Sequence, residues 1–201
     1  MIQACLFDMG NVLVSFSHEQ MLQQMAAVCD CDPEFLREWL FESGRLLDYE
    51  RGHTSDDELH DQIELAVGKT VNRQELRWAA SDIFSQNSQL IPLLKSLRQS
   101  GMKLVLLSNT SRIHFEHIQK HFSILEHFDS FVLSYEVGLL KPELEIYKLA
   151  VQQAIALPEQ CFFTDDIQKN ILAARQAGLH AEQYQNVEQL TQELNRLIES
   201  E

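Results

Sequence analysis

Five polar positions have the residue types and settings to do chemistry together: Asp8, Ser108, Lys141 and the adjacent Asp165 and Asp166. Asp8 ends an apolar run that closes on Leu6-Phe7, and Gly10-Asn11 behind it allow a sharp bend. Ser108 follows the apolar run Lys103 to Leu107, and the two aspartates follow the run Gln160 to Thr164. Lys141 stands just before Pro142, in the segment after a further run, Ser130 to Leu133. Carboxylates gathered with one hydroxyl and one ammonium suit a Mg2+ and phosphate site. Mg2+ takes hard oxygens and keeps several waters, while lysine offers a point charge to a phosphoryl oxygen. Singly, each residue also has a plainer explanation: a turn aspartate, a helix cap, first-turn carboxylates, a solvated loop lysine. Collectively the plainer explanations require coincidence, because all of these positions fall at strand ends.

The elements that must position them follow from periodicity. Strand-like runs alternate with helical patterns at Ser88 to Ser100, Arg112 to Phe122, Pro142 to about Ala156, Ile167 to Ala177 and from Val187 onward, with a weak strand near Ala181 to Tyr184. Alternation of this kind predicts right-handed crossovers and an α/β fold: a Rossmann-like parallel five-stranded sheet with helices on both faces. The carboxyl ends of parallel strands share one edge, so Asp8, Ser108 and Asp165/Asp166 converge there, and Lys141 reaches the same edge. Between the first strand and the rest, four amphipathic helical patterns run from Glu19 to about Phe84 with no convincing strand among them. The second follows Asp32-Pro33 and carries Phe35 through Leu47; the third opens on the capping-box sequence Ser55-Asp-Asp-Glu58. This predicts a helical cap, residues 17–86, inserted after the first strand of a core made of residues 1–16 and 87–201. Trp39 and Trp78 are expected in the core of the cap.

Composition narrows the partners. The chain has 201 residues and 45% apolar content, enough for a full core. Its 30 acidic against 16 basic side chains give a net charge of −14, which repels nucleic acid and anionic membranes. No apolar run approaches the roughly 20 residues of a spanning helix, and no signal-peptide pattern opens the chain, so a cytoplasmic protein is expected. Cys5 and Cys161 read as buried hydrophobes, and Cys29-x-Cys31 lacks the second pair that a zinc site needs.

The ordered set FDMGNVLV, LLSNT, GLLKPELEIY and FFTDDIQKN resembles the four motifs of the haloacid dehalogenase superfamily, mostly phosphohydrolases, over essentially the whole chain. FDxGNV, LSNT followed by Arg112 and His114, KPE and DD are similar in detail to the bacterial α-D-glucose-1-phosphate phosphatase branch. The resemblance implies that Asp8 is a nucleophile forming an aspartyl-phosphate. It implies that Ser108, with backbone N–H groups near Asn109, holds the transferring phosphoryl group, and that Lys141 offsets its charge, with Arg112 as a further phosphate contact. Mg2+ would be held by Asp8, the Gly10 carbonyl and Asp166, with Asp165 as alternative or neighbour, and Asn170 would orient a metal-bound water. The substrate implied is a small soluble phosphate ester such as a sugar phosphate; oligomeric state is left open.

One departure stands out. Most phosphatases of the superfamily carry an aspartate two residues after the nucleophile as general acid and base, and this chain has Gly10. Such help is typically worth about 10² to 10⁴ in rate. His18, His53 and Tyr49 of the cap are candidate substitutes, and Arg45, Arg51 and His53 candidate substrate contacts. Two other readings compete: a metal-independent 2-haloacid dehalogenase, and a catalytically weak binding or regulatory member of the fold. The Asp165-Asp166 pair counts against the first, since unneutralised carboxylates beside Asp8 would repel.

Overall fold

The computed structural model describes residues 1–199. Its strands are β1 (Ala4–Phe7), β2 (Val14–Phe16), β3 (Phe84–Gln86), β4 (Lys103–Ser108), β5 (Ser130–Leu133), β6 (Cys161–Asp165) and β7 (His180–Gln183). The helices are α1 (His18–Cys29), α2 (Pro33–Arg37), α3 (Arg45–Glu50), α4 (Asp56–Val67), α5 (Arg73–Ser81), α6 (Ile91–Gln99), α7 (Arg112–His121), α8 (Ser134–Val137), α9 (Leu144–Ala154), α10 (Gln168–Gln176) and α11 (Val187–Glu199). Among the described residues no helix is long and apolar enough to cross a membrane.

Five strands pair in parallel in the order β5-β4-β1-β6-β7, as the alternating pattern predicts. All four residues of β1 are fully buried, so its side chains alternate between two apolar layers. Cys5 and Phe7 meet Leu94 of α6, Ile118 of α7 and Leu190 of α11 in one layer, while Ala4 and Leu6 join Ile146 of α9 and Ile171 of α10 in the other. Burial of a side chain the size of Leu6 or Phe7 contributes about 1.5–3 kcal/mol, which holds β1 at the centre of the sheet. That central place delivers Asp8 between the ends of β4 and β6.

Helices α1 to α5 enclose a third apolar cluster, including Leu22, Leu36, Leu40, Ile63 and Leu76. Their starts follow the sequence: Asp32 caps α2 with Pro33 in its first turn, and Ser55 and Glu58 form the expected capping box of α4.

Four details differ from the sequence reading. The second helical pattern is broken, because a π-turn at Glu38–Glu42 and Gly44, at φ +80°, divide α2 from α3. Phe84 belongs to a strand, pairing antiparallel through β3 with β2 in a ribbon too short for periodicity to register. The helix after Pro142 starts at Leu144, since Glu143 is still extended. Trp78 is 53% exposed rather than in the cluster of α1 to α5, its ring meeting His117 and His121 of α7 edge-on.

Candidate active site

Asp8 emerges from the carboxyl end of β1 buried, with one oxygen 2.6 Å from the Lys141 ammonium and accepting from the Met9 N–H at 2.7 Å. The same ammonium donates to Asp165 at 2.7 Å. Lys141 reaches this place from the loop between α8 and α9 because Asn109, just past β4, clamps its backbone: the Asn109 amide donates to the Lys141 carbonyl at 3.0 Å and accepts from its N–H at 2.8 Å. The Asn109 side chain is therefore committed to positioning Lys141.

Asp165, the last residue of β6, has no solvent exposure. It accepts from the Ile167 N–H at 2.8 Å and from the Asn170 amide at 3.0 Å on each oxygen. Asn170, expected beside a metal-bound water, is thus turned towards Asp165, and its carbonyl oxygen has no protein partner. Asp166 is half-buried and accepts from the Asn11 amide at 2.9 Å. Asn11 adopts φ +55°, a conformation asparagine tolerates, and so folds back across the β1 turn. One oxygen each of Asp8, Asp165 and Asp166 lies within 4.8 Å of the others. Ser108 is buried at the adjoining end of β4 with its hydroxyl on the Asn109 carbonyl at 3.3 Å. Arg112 lies on the ring of Tyr135, 5.1 Å from its centre.

The electrostatics are those of a site short of positive charge. Burial pushes Asp8 up to about 7, with Asp165 adding to the rise and Lys141 only partly opposing it. Burial pulls Lys141 down, yet the Asp8 and Asp165 carboxylates outweigh it and hold the ammonium above its ordinary value. Two carboxylates thus share one ammonium, a third lies within 4.8 Å, and every available ligand is a hard oxygen. That donor set fits Mg2+, whose charge would return Asp8 to its carboxylate form.

The helical region meets the core where α5 packs on α7, through the Arg77–Glu116 pair and His114 on the Ala80 carbonyl, and at the sheet edge through the three residues Glu50 to Gly52. The Glu50 carbonyl accepts from the Ser134 hydroxyl at 2.6 Å, and that hydroxyl accepts in turn from the Thr110 N–H at 2.9 Å. Arg51 forms a forked pair with Glu143, at 3.1 and 2.5 Å. Gly52 has φ +79°, and a Cβ there would stand 2.2 Å from the Tyr135 carbonyl oxygen, so only glycine lets the backbones approach. Gly10 is under no such backbone constraint: a Cβ there would stand 2.9 Å from the Phe16 ring edge, a contact that a shift of that side chain relieves.

The cap candidates mostly face elsewhere. The Tyr49 hydroxyl donates to Asp56 at 2.7 Å, and burial raises it well above the ordinary tyrosine value. His18 lies between the Phe16 and Phe41 rings, where desolvation, aided by Arg37, lowers its pKa. His53 is exposed beside Asp48, and Arg45 stacks on Trp39. Four contributors escaped the sequence reading: Asn11, Ser134, Glu143 and the Glu50 carboxyl. Asn11 carried a usable signal, an asparagine after glycine in a turn; the others are ordinary residues until the chain folds.

Comparison with known proteins agrees with this geometry. Residues 2–178 match the haloacid dehalogenase-like hydrolase family. The chain is 25% identical to D-ribitol-5-phosphate phosphatase of Bacteroides thetaiotaomicron, with 100% of both chains covered. It superposes with a TM-score of 0.82 on a HAD family enzyme of the same bacterium in complex with magnesium and inorganic phosphate, at 26% identity, covering 94% of this chain and 99% of that one. A HAD-like family hydrolase of Porphyromonas gingivalis gives a TM-score of 0.82 at 25% identity, covering 99% and 98%.

Proposed function

Since the chain belongs to the haloacid dehalogenase-like hydrolases, we propose that it is a Mg2+-dependent phosphomonoester hydrolase acting on a small soluble sugar or polyol phosphate. The observation that carries this reading is the Asp8 carboxylate held by Lys141 at 2.6 Å among two further carboxylates. Asp8 attacks phosphorus and displaces the alcohol, giving an aspartyl-phosphate that water then hydrolyses. Lys141 and the Ser108 hydroxyl hold the transferring phosphoryl group, and the ordered donors leave little reorganisation for the reaction itself. Asp8, the Gly10 carbonyl and Asp166 would hold Mg2+, which neutralises phosphoryl charge when bound. Asp165 keeps Lys141 in place, and Asn170 keeps Asp165.

Residues 17–86 serve as a cap over the core of 1–16 and 87–201, docked through Glu50 to Gly52, and its closure excludes water while the ester is cleaved. The relative that acts on D-ribitol 5-phosphate supports a polyol or sugar phosphate as the ester. All four cysteines are free thiols, which suits the reducing cytoplasm. A dehalogenase needs no metal, and a third carboxylate, Asp166, grouped with the two that Lys141 pairs speaks against that chemistry here.

The test is hydrolysis of p-nitrophenyl phosphate and a panel of sugar and polyol phosphates, with Mg2+ and with EDTA, by wild type and Asp8→Asn. Activity that requires Mg2+ and disappears in the variant is expected. Activity undiminished in Asp8→Asn, or in EDTA, would overturn the assignment.

A further inference from the structure

We propose that Glu50 is the general acid and base of this hydrolase, standing in for the side chain that residue 10 lacks. The proposal rests on the phosphatase reading above. In-line displacement by Asp8 sends the leaving oxygen away from the sheet edge, towards the helical region that covers it. Proton donation must therefore come from residue 10 or from that region. Residue 10 is glycine and has no group to donate. His18 is wedged between aromatic rings, Tyr49 is committed to Asp56, and His53 is exposed at the surface beside Asp48.

Glu50 differs from all of these. Its backbone carbonyl is tied to Ser134, and the next two residues are fixed to the core by the Arg51–Glu143 pair and the close approach of Gly52 to Tyr135. Its carboxyl makes no hydrogen bond or ion pair among the described residues, although it is partly buried. Burial pushes it up to about 7, with Lys141 acting in the opposite sense. Lys141 is the charge that tells on it; Asp8 and Asp165 are paired with that ammonium, Arg51 is paired with Glu143, the Tyr135 hydroxyl is bonded to Glu136, and Tyr49 to Asp56. An uncommitted, partly buried carboxyl within electrostatic reach of the phosphate-binding lysine, in a segment whose backbone is seated on the sheet edge, is the arrangement that acid catalysis needs.

The balance is complete without a further reagent. As the Asp8 oxygen bonds to phosphorus and the ester P–O bond breaks, protonated Glu50 gives its proton to the leaving alkoxide, releasing an alcohol. The Glu50 carboxylate then takes a proton from the water that attacks the aspartyl-phosphate, freeing Asp8 and inorganic phosphate and restoring the acid.

The test compares wild type, Glu50→Gln and Glu50→Asp, with Mg2+, on p-nitrophenyl phosphate and on the fastest alkyl phosphate of the panel. An aryl oxide leaves without protonation and an alkoxide does not. Glu50→Gln is expected to lower kcat/KM on the alkyl ester by about 10²-fold or more, and on the aryl ester by at least about tenfold less than that. Only protonated Glu50 donates, so wild-type kcat/KM on the alkyl ester declines as pH rises above about 7, and Glu50→Gln flattens that limb. A burst of p-nitrophenolate appears in Glu50→Gln because the second step lacks its base, and Glu50→Asp recovers part of the alkyl-ester rate with the limb retained. Equal losses on both esters with an unchanged pH profile would make Glu50 structural, and a higher KM for the alkyl ester at unchanged kcat would make it a binding group; either overturns the proposal. A wild type inactive on every ester sinks the phosphatase reading itself, and is distinguished by needing no variant.

Discussion

Two of this molecule's ionic contacts, one at the sheet edge and one where Glu50 to Gly52 dock, are built differently. At the sheet edge the Lys141 side chain is 1% exposed between Asp8 and Asp165, and Asn109 and Asn170 fix the groups from behind. Where the helical region docks, Arg51 and Glu143 are 26% and 35% exposed. Breaking a buried pair leaves an uncompensated charge in low dielectric, whereas a half-exposed pair is screened and its partners are resolvated when it opens. The first arrangement holds charges in one geometry at all times. The second can release and re-form, as the proposed closure of residues 17–86 requires.

The largest effect should come from Lys141→Met. Stability is expected to fall by about 3–5 kcal/mol in EDTA, because two buried carboxylates lose their cation. Mg2+ should recover part of that loss, while phosphatase activity falls by about 10²-fold or more in both conditions. Thermal melts with and without Mg2+ check this; a loss equal in the two conditions would mean that the ion does not share the carboxylates with Lys141.

Gly52→Ala comes next and probes the docking contact. A Cβ 2.2 Å from the Tyr135 carbonyl, at a positive φ, forces Glu50 to Gly52 off the core. The expected cost is about 1–2 kcal/mol from backbone strain, with a fall in kcat/KM larger than that in stability. Matched melting and kinetic measurements decide it, and activity preserved in a destabilised variant would break the link between docking and catalysis.

Arg51→Gln should have the smallest effect on folding, within about 1 kcal/mol of wild type. Its signature is kinetic, a lower kcat/KM that worsens less with added salt than wild type does, since the wild-type pair is itself screened. If Arg51→Gln destabilises as much as Lys141→Met, the two contacts are not the different devices their burial indicates.

Much of the sheet edge is legible in the chain. Asp8, Ser108 and Asp165 each end an apolar run, and a parallel sheet necessarily brings such ends together. The roles within the cluster are less legible. The sequence reading gave Asn170 a metal-bound water and the backbone near Asn109 a phosphate; it did not name the bonds that the folded chain adds, from the Asn170 amide to Asp165 and between the Asn109 side chain and the Lys141 backbone. Both outcomes depend on which loop lies opposite, and no local pattern encodes that. The ribbon of β2 and β3 escaped for a related reason, as three residues carry too few alternations to reveal a strand paired across some 70 positions.

What the sequence by itself determined is therefore the alternation of strands and helices, and with it the edge where the acidic residues, Ser108 and Lys141 gather. Period, capping and turn chemistry act over a few residues, and parallel topology does the rest. Only the tertiary structure decided that Ser134 and Tyr135 seat Glu50 to Gly52, and that the partly buried Glu50 carboxyl is left without a hydrogen-bond partner among the described residues. Those are contacts between surfaces far apart in the chain, set by packing and desolvation, which have no meaning until both surfaces exist.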